Sequence, residues 1–216
     1  MIVFRNVIAE CCDGRITTRH DEPTKLVLHR ISFATDDGGR DEQGRQYLPD
    51  VQPIPDEELD GPAVAARFAD RRLAPKGAPS WTRRPGTYTG GEMPYTFLAR
   101  TDGIIDQCLP VRELAPHARR WNTAGLSLAA AGDFRRRKPT PAQLSAVVYF
   151  SALWWAAGLQ IVGHTELPDA STDPTKRCPG EHLAPNNIRL LAHADRQEIG
   201  DEDRARRRLL QLGVVF

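Results

Sequence analysis

Two histidines of this chain, His29 and His164, each stand at the end of an apolar, strand-like run, and Cys178 follows the second one by 14 positions. Two imidazoles and one thiolate can close three corners of a zinc tetrahedron and leave the fourth corner for a water molecule. Each ligand must present a lone pair, so the histidines must be neutral and the cysteine deprotonated. The first hypothesis is therefore a hydrolase with one zinc ion bound by His29, His164 and Cys178.

Length and charge restrict the class of protein. The chain has 216 residues, enough to bury a substantial core, and we expect a single domain over residues 1–216. It carries 29 Lys and Arg residues against 28 Asp and Glu residues, for a formal net charge of +1. This near-neutral balance gives no electrostatic reason to expect nucleic acid or an anionic membrane surface as the main partner.

The apolar segments are too short for targeting or membrane insertion. Arg5 and Asn6 interrupt the N-terminal apolar stretches, which lack the apolar centre of roughly 7–15 residues of a secretory signal. Residues 144–157 form the most apolar later stretch, which falls short of the ~20 residues that span a bilayer. We therefore expect synthesis in the cytoplasm and no membrane span.

The cysteines do not form a disulfide pattern. The chain has four, at Cys11, Cys12, Cys108 and Cys178, which are few for its length. The adjacent pair Cys11 and Cys12 is expected to be inert in a reducing compartment, although such a pair also suits metal or redox chemistry. Of the four cysteines, Cys178 is the one whose sequence context suggests a chemical role.

Strand-like and helix-like patterns intermix along the chain. Strands are predicted at residues 25–33, 94–100, 103–109, 124–131 and 159–162, with Asp102-Gly103 marking a tight hairpin. Helices are predicted at residues 62–73, after a cap at Thr140, at 185–196 and at 201–212, where Gly213 ends the last one. We expect an α/β fold with a central mixed sheet flanked by helices.

Residues 34–91 interrupt this pattern directly after the first core strand. They are rich in Asp, Gly, Pro and Arg, and the helix predicted at 62–73 lies among them. Long irregular insertions of this kind are typical of functional surface features rather than of a core.

Short motifs spread over residues 25–190, apart from the 34–91 insertion, occur in the order found in one family. They are Leu26-Val-Leu-His29, Pro94-Tyr95-Thr-Phe, His117-Ala-Arg-Arg-Trp-Asn122, Gly132-Asp-Phe134, Thr140-Pro-Ala-Gln143, Val162-Gly-His164 and Lys176-Arg-Cys178-Pro-Gly180. In this ordered combination the chain resembles the zinc-dependent N-acetylmuramoyl-L-alanine amidases of the type-2 group. That group includes phage lysozyme-type amidases and peptidoglycan recognition proteins.

The resemblance implies a role for each matched position. His29, His164 and Cys178 would bind one zinc ion, and Tyr95 and Lys176 would assist catalysis. His117 and Asn122 would contact substrate along the groove. The implied fold is that of peptidoglycan recognition proteins, and the implied reaction is hydrolysis of the amide between N-acetylmuramic acid and L-alanine in peptidoglycan.

The chemistry of the residues agrees with these roles. Attack on an amide carbonyl builds negative charge on oxygen, which zinc, the Lys176 ammonium and the Tyr95 hydroxyl are suited to stabilise. Tyr95 is equally suited to orient or deprotonate the water. The sequence does not separate these roles, and it assigns no group that protonates the leaving amine.

Three alternatives concern the site. The 14-position interval between His164 and Cys178 is longer than in compact relatives, and Asp169 or Asp173 within it is an alternative third ligand. A non-catalytic peptidoglycan-binding protein would keep the groove without the chemistry. A cysteine peptidase would use Cys178 as nucleophile, although Pro179 places the thiol poorly for activation at a helix N-terminus.

Two biological settings suit an amidase of this kind. We expect a phage or prophage endolysin that acts on the cell wall after release, as a monomer. The alternative is a cytoplasmic recycling enzyme that takes soluble muropeptides.

Overall fold

A computed structural model of the protein describes residues 3–11, 18–31, 55–72, 93–115, 117–118, 120–168 and 178–216. The strands are β1 (Val3–Asn6), β2 (Lys25–Ile31), β3 (Phe97–Ala99), β4 (Ile104–Gln107), β5 (Gly125–Ala131) and β6 (Gln160–Gly163). The α-helices are α1 (Ile8–Cys11), α2 (Gly61–Arg72), α3 (Pro141–Ala156), α4 (Pro185–Ile199) and α5 (Glu202–Gln211). Single turns of 3-10 helix lie at Asp56–Glu58, His164–Glu166 and Glu181–Leu183.

The strands form one mixed sheet in the order β1-β4-β3-β5-β2-β6. Neighbouring strands are parallel except for the antiparallel pair β3 and β4. The predicted α/β fold with a central mixed sheet and flanking helices is thus confirmed. Because β5, β2 and β6 run in the same direction, their carboxyl ends meet at one edge of the sheet.

The two faces of the sheet bury different sets of side chains. Successive residues of a strand point to opposite faces. In β2, Leu26 and Leu28 join the core under α3, α4 and α5, whereas Val27 and Ile31 belong to clusters on the other face. His29 follows the same alternation, so it points away from α3.

The central helix α3 packs its apolar surface on the sheet. Its start at Pro141 is capped by Thr140, whose hydroxyl accepts a hydrogen bond from Gln143 N at 3.1 Å. Such caps stabilise a helix by about 1 kcal/mol. The rings of Phe150 and Trp154 pack on Phe97 of β3, with centroids 4.9 and 5.9 Å away. The helix predicted after Thr140 is confirmed.

The predicted hairpin is confirmed as well. β3 and β4 pair with Phe97 opposite Gln107, and Gly103 in the turn has φ +86°. The carboxylate of Asp102 accepts a hydrogen bond from Ile104 N at 3.0 Å. Glycine tolerates this left-handed conformation without the steric cost that a Cβ brings.

One edge of the sheet was not predicted. β1 pairs in parallel with β4, although Arg5 and Asn6 interrupt the apolar pattern on which a strand prediction depends. The tertiary structure pairs the charge of Arg5, because its guanidinium lies 2.7 Å from the carboxylate of Asp106 and 3.1 Å from that of Asp60. A charged residue is therefore accommodated at this edge by partners far away in the sequence.

The helix predicted within the insertion is present as α2, from Gly61 to Arg72. Val64 and Ala65 are buried in the cluster on the face of the sheet opposite α3. The parts of the insertion at 34–54 and 73–91 lie outside the described residues. No helix among the described residues has both the length and the hydropathy needed to cross a bilayer.

Candidate metal centre

His29, His164 and Cys178 come together at the carboxyl edge of the sheet. Each offers one ligand atom, and these atoms all lie within 4.8 Å of one another. Nδ1 of His29 is 3.7 Å from Sγ of Cys178, and the rings of His29 and His164 have centroids 4.6 Å apart. The three side chains that the sequence predicted as a metal site are therefore neighbours.

Strand register places the two histidines side by side. β2 and β6 are parallel, and Leu28 pairs with Gly163. His29 and His164 follow these partners directly, so they occupy the same level of the sheet. The turn after β6 is fixed by Glu166, which accepts a hydrogen bond from Gly163 N at 2.8 Å. Arg189 of α4 donates to both carboxylate oxygens of Glu166 at 2.9 Å.

Backbone contacts bring Cys178 back to this edge. Its carbonyl accepts hydrogen bonds from the amide and the hydroxyl of Thr165, at 3.2 and 3.0 Å. Two residues later, Gly180 has φ +106°, and a Cβ there would lie 2.6 Å from the carbonyl carbon of Phe134. The close approach of these two backbone segments therefore requires glycine at 180.

The His29 to Cys178 separation and the donor types fit a zinc ion. Zinc bonds to His nitrogen and Cys sulfur measure about 2.0–2.3 Å, so neighbouring ligand atoms of a tetrahedral site lie about 3.3–3.8 Å apart. The Nδ1 to Sγ distance of 3.7 Å falls in this range. Two imidazole nitrogens and one sulfur are ligands that zinc prefers, and three protein ligands leave a fourth position open.

Burial sets the protonation of the three side chains. It holds the pKa of His29 well below the usual value of 6.5, helped by the neighbouring His117 and His164. Burial also lowers the pKa of His164. Burial raises the pKa of the Cys178 thiol to about 11, against the opposing effect of the Arg30 backbone amide and the Arg30 and Arg135 charges. The histidines are thus neutral at pH 7, and a cation would supply the charge that a half-buried thiolate needs.

Tyr95 lies beside the cluster, just before β3. Its ring centroid is 5.4 Å from that of His29, with the planes inclined by 48°. The structure therefore brings this predicted catalytic residue to the metal ligands. Lys176, the other predicted catalytic residue, lies outside the described residues, as do the alternative ligands Asp169 and Asp173.

The two predicted substrate contacts have partners within the protein. His117 is 8 % exposed, and its ring nitrogens lie 3.0 Å from His29 Nε2 and 3.1 Å from the Gly125 carbonyl oxygen. Asn122 is half-buried, and its side-chain oxygen accepts a hydrogen bond from Ala118 N at 2.8 Å. Substrate contact by these residues stays a prediction, and for His117 the geometry indicates a different task.

Arg19 has a structural position that no pattern in the sequence indicated. Its buried guanidinium donates to the backbone carbonyls of four residues in the loop and strand next to His117: Glu113, Asn122, Thr123 and Gly125. Burial lowers the pKa of Arg19 to about 10, so the side chain stays charged at neutral pH. Its partners are about 100 positions away, beyond the range of local sequence patterns.

Solved structures with a similar fold include several enzymes. An endolysin from the Thermus scotoductus bacteriophage Ph2119 is 18 % identical, with a TM-score of 0.56 over 88 % of this chain and 98 % of that one. The N-acetylmuramoyl-L-alanine amidase LysC from Clostridium intestinale is 15 % identical, with a TM-score of 0.53 over 88 % of this chain and 97 % of that one.

A further similar structure is a Drosophila PGRP-LB variant in complex with tracheal cytotoxin. It is 15 % identical, with a TM-score of 0.51 over 86 % of this chain and 92 % of that one. At these identities the likeness shows a shared fold. No curated protein matches the chain.

The sequence of this chain also matches a protein family directly. The family described as N-acetylmuramoyl-L-alanine amidase matches residues 63–181, which is more than half of the chain. The match begins in α2 and ends just beyond Cys178, so it includes Tyr95, His164 and the cysteine of the candidate metal centre. The chain therefore belongs to the N-acetylmuramoyl-L-alanine amidase family.

Proposed function

We propose that the protein is a zinc-dependent N-acetylmuramoyl-L-alanine amidase that cleaves the amide between the lactyl carbonyl of N-acetylmuramic acid and L-alanine of peptidoglycan. One observation carries the proposal: His29, His164 and Cys178 present three ligand atoms within 4.8 Å of one another. The family to which the chain belongs supports the choice of bond.

When bound, zinc would supply a water molecule of lowered pKa and would polarise the substrate carbonyl. The protein residues determine the charge of this site. Two neutral imidazoles and one thiolate reduce the +2 charge of the ion to a net +1, which favours negative charge developing on the carbonyl oxygen. His29 is 2 % exposed, so this electrostatic attraction acts where water screens it weakly.

Tyr95 and Lys176 are proposed to act on the substrate. The Tyr95 ring centroid lies 5.4 Å from that of His29, which supports this role. Its phenol is suited to donate a hydrogen bond to the carbonyl oxygen or to orient the attacking water. The Lys176 ammonium, two positions before Cys178 in the sequence, would stabilise the same developing charge.

We further propose that the substrate is the intact cell wall, as for an endolysin of phage or prophage origin that reaches the wall after release. The fold shared with the Thermus phage endolysin and with LysC supports this setting. The fold shared with the PGRP-LB complex supports a groove that binds such ligands. The protein would act on this substrate as a monomer.

Purified peptidoglycan tests the reaction. Chelation should abolish the release of peptides that begin with free L-alanine, and stoichiometric Zn²⁺ should restore it. Activity that persists without metal and disappears on thiol alkylation would instead indicate a cysteine peptidase. Binding of peptidoglycan without cleavage by the zinc-loaded protein would indicate a recognition protein.

A substrate comparison tests the setting. Digestion of intact sacculi should be at least as efficient as digestion of soluble anhydromuropeptides. A strong preference for the soluble substrate would favour the recycling enzyme instead.

A further inference from the structure

A series of hydrogen bonds runs from a backbone carbonyl to the metal centre. The Gly125 carbonyl oxygen of β5 lies 3.1 Å from His117 Nε2, and His117 Nδ1 lies 3.0 Å from His29 Nε2. His29 Nδ1 then faces Cys178 Sγ at 3.7 Å. Both histidines of this series are buried.

The first acceptor of the series determines the direction of each bond. A carbonyl oxygen only accepts, so His117 must carry its proton on Nε2. A neutral imidazole has one N–H, which leaves His117 Nδ1 as an acceptor. It can then accept only from His29 Nε2–H, and this tautomer leaves the lone pair of His29 on Nδ1, beside Cys178.

We propose that His117 is a positioning residue that fixes His29 in the Nε2–H tautomer and aims its Nδ1 lone pair at the metal ion. The inference rests on the proposed metal site and deepens it. Metal-binding histidines in general donate their second N–H to an acceptor that fixes both tautomer and ring orientation. In this chain a second imidazole is that acceptor, and its own orientation is fixed by the backbone.

Arg19 contacts the Gly125 carbonyl, at which this series of hydrogen bonds begins. Its guanidinium donates to the same Gly125 carbonyl at 3.0 Å and to three neighbouring carbonyls. These bonds hold the Gly125 carbonyl in place.

Packing leaves the His117 ring little freedom. A Cβ on Gly125 would lie 3.1 Å from Cε1 of His117, 3.0 Å from Cγ2 of Val27 and 3.1 Å from the Trp121 carbonyl oxygen. Glycine at this position of β5 therefore permits the ring to lie against the strand. A methyl group there would displace the ring without removing either of its nitrogens.

Two substitutions of His117 distinguish the effect of its hydrogen bonds on metal affinity from the effect of its ring shape. His117→Phe keeps a flat ring and removes both nitrogens, and it should weaken the affinity for Zn²⁺ or Co²⁺ by about 10–100-fold. His117→Gln keeps one acceptor and one donor and should restore most of this loss. Gln143→Leu is the matched control, since it removes buried hydrogen bonds to the carbonyls of Ala99 and Ala131 away from the site. It should lower the melting temperature and leave metal affinity unchanged.

The tautomer itself is a second readout, which needs neither substrate nor activity. In protein labelled with ¹⁵N-histidine, the wild-type His29 ring should show a protonated Nε2 and an unprotonated Nδ1, without metal and with Cd²⁺ bound. The His117→Phe variant should show a mixture of tautomers. If His117→Phe does not fold, Gly125→Ala replaces it and should reduce metal affinity by displacing the ring.

Unchanged metal affinity in the Phe variant, or a protonated Nδ1 on His29 in the wild type, would overturn the inference. These outcomes differ from failure of the proposed function. A protein that binds zinc with the expected tautomer but leaves peptidoglycan intact would refute the amidase and retain the role of His117.

Discussion

Nδ1 of His29 lies 3.7 Å from Sγ of Cys178, although 149 positions separate the two residues in the chain. One side chain belongs to the strand β2, and the other follows a long connection after β6. Their proximity, together with His164, makes the metal centre a property of the folded sheet edge. Substitution of one ligand should therefore affect metal binding more than it affects the fold.

Cys178→Ser should lose stoichiometric zinc, because a hydroxyl is a much poorer zinc ligand than a thiolate. Metal content of the purified protein measures this. Cys108→Ser is the matched control: Cys108 is fully buried but lies outside the metal cluster, so this variant should be less stable and keep its zinc. Zinc retained in full by Cys178→Ser would move the third ligand to Asp169 or Asp173.

Tyr95→Phe should lower kcat by about 10²–10³-fold, the usual cost of removing one donor that stabilises developing charge. Zinc content should be unchanged, because the aromatic ring that packs near His29 remains. Tyr149→Phe serves as the comparison, since that hydroxyl contacts Arg208 of α5 at 3.3 Å on the other face of the sheet. Equal rates for the two variants would remove Tyr95 from the chemistry.

Glu166→Gln should reduce stability in a pH-dependent way. Hydrogen bonds from Arg189 lower the pKa of Glu166, so its stabilising effect is complete above the unfolded-state pKa of about 4.3 and is lost as pH falls through the folded-state value. The side chain is 35 % exposed, so we expect a loss of about 0.5–1 kcal/mol at pH 7.

Denaturant unfolding of the wild type and of Glu166→Gln at pH 7 and pH 3 measures this difference. It should shrink at the lower pH. Glu202→Gln, which breaks an exposed pair with Arg206 within α5, should change stability less at either pH. A constant difference between wild type and Glu166→Gln from pH 7 to pH 3 would contradict the prediction.

Gly180→Ala should destabilise the protein by more than the ~1 kcal/mol that a positive φ alone costs a residue with a Cβ. The added methyl would lie 2.6 Å from the Phe134 carbonyl carbon and 2.8 Å from Arg135 N, so backbone must move. Gly213→Ala measures the destabilisation that comes from a positive φ alone, because Gly213 has φ +87° with nothing within 4 Å of the new Cβ. Thermal unfolding with and without zinc measures the loss of stability in each variant. Similar losses would show that the backbone around Gly180 moves to accommodate the methyl group at no additional cost in stability.

Local patterns predicted the elements whose signals are contained in a few consecutive residues. The cap at Thr140, the Asp102-Gly103 turn and the apolar run of β2 each depend on interactions between near neighbours, and each is present. β1 was missed because it is a four-residue edge strand whose Arg5 is neutralised by distant carboxylates.

The sequence by itself determined which side chains are available to bind a metal ion. It also determined that His29 and His164 each follow an apolar strand. Only the tertiary structure decided that β2 and β6 lie side by side in parallel, with a register that sets both imidazoles at the same level. It also decided the partners of His117. The family resemblance implied contact with substrate, and in the fold its two ring nitrogens lie beside His29 and the Gly125 carbonyl. The physical reason is that strand register and buried hydrogen bonds join residues about 10 to 150 positions apart, whereas sequence patterns report on neighbours within a turn or a strand.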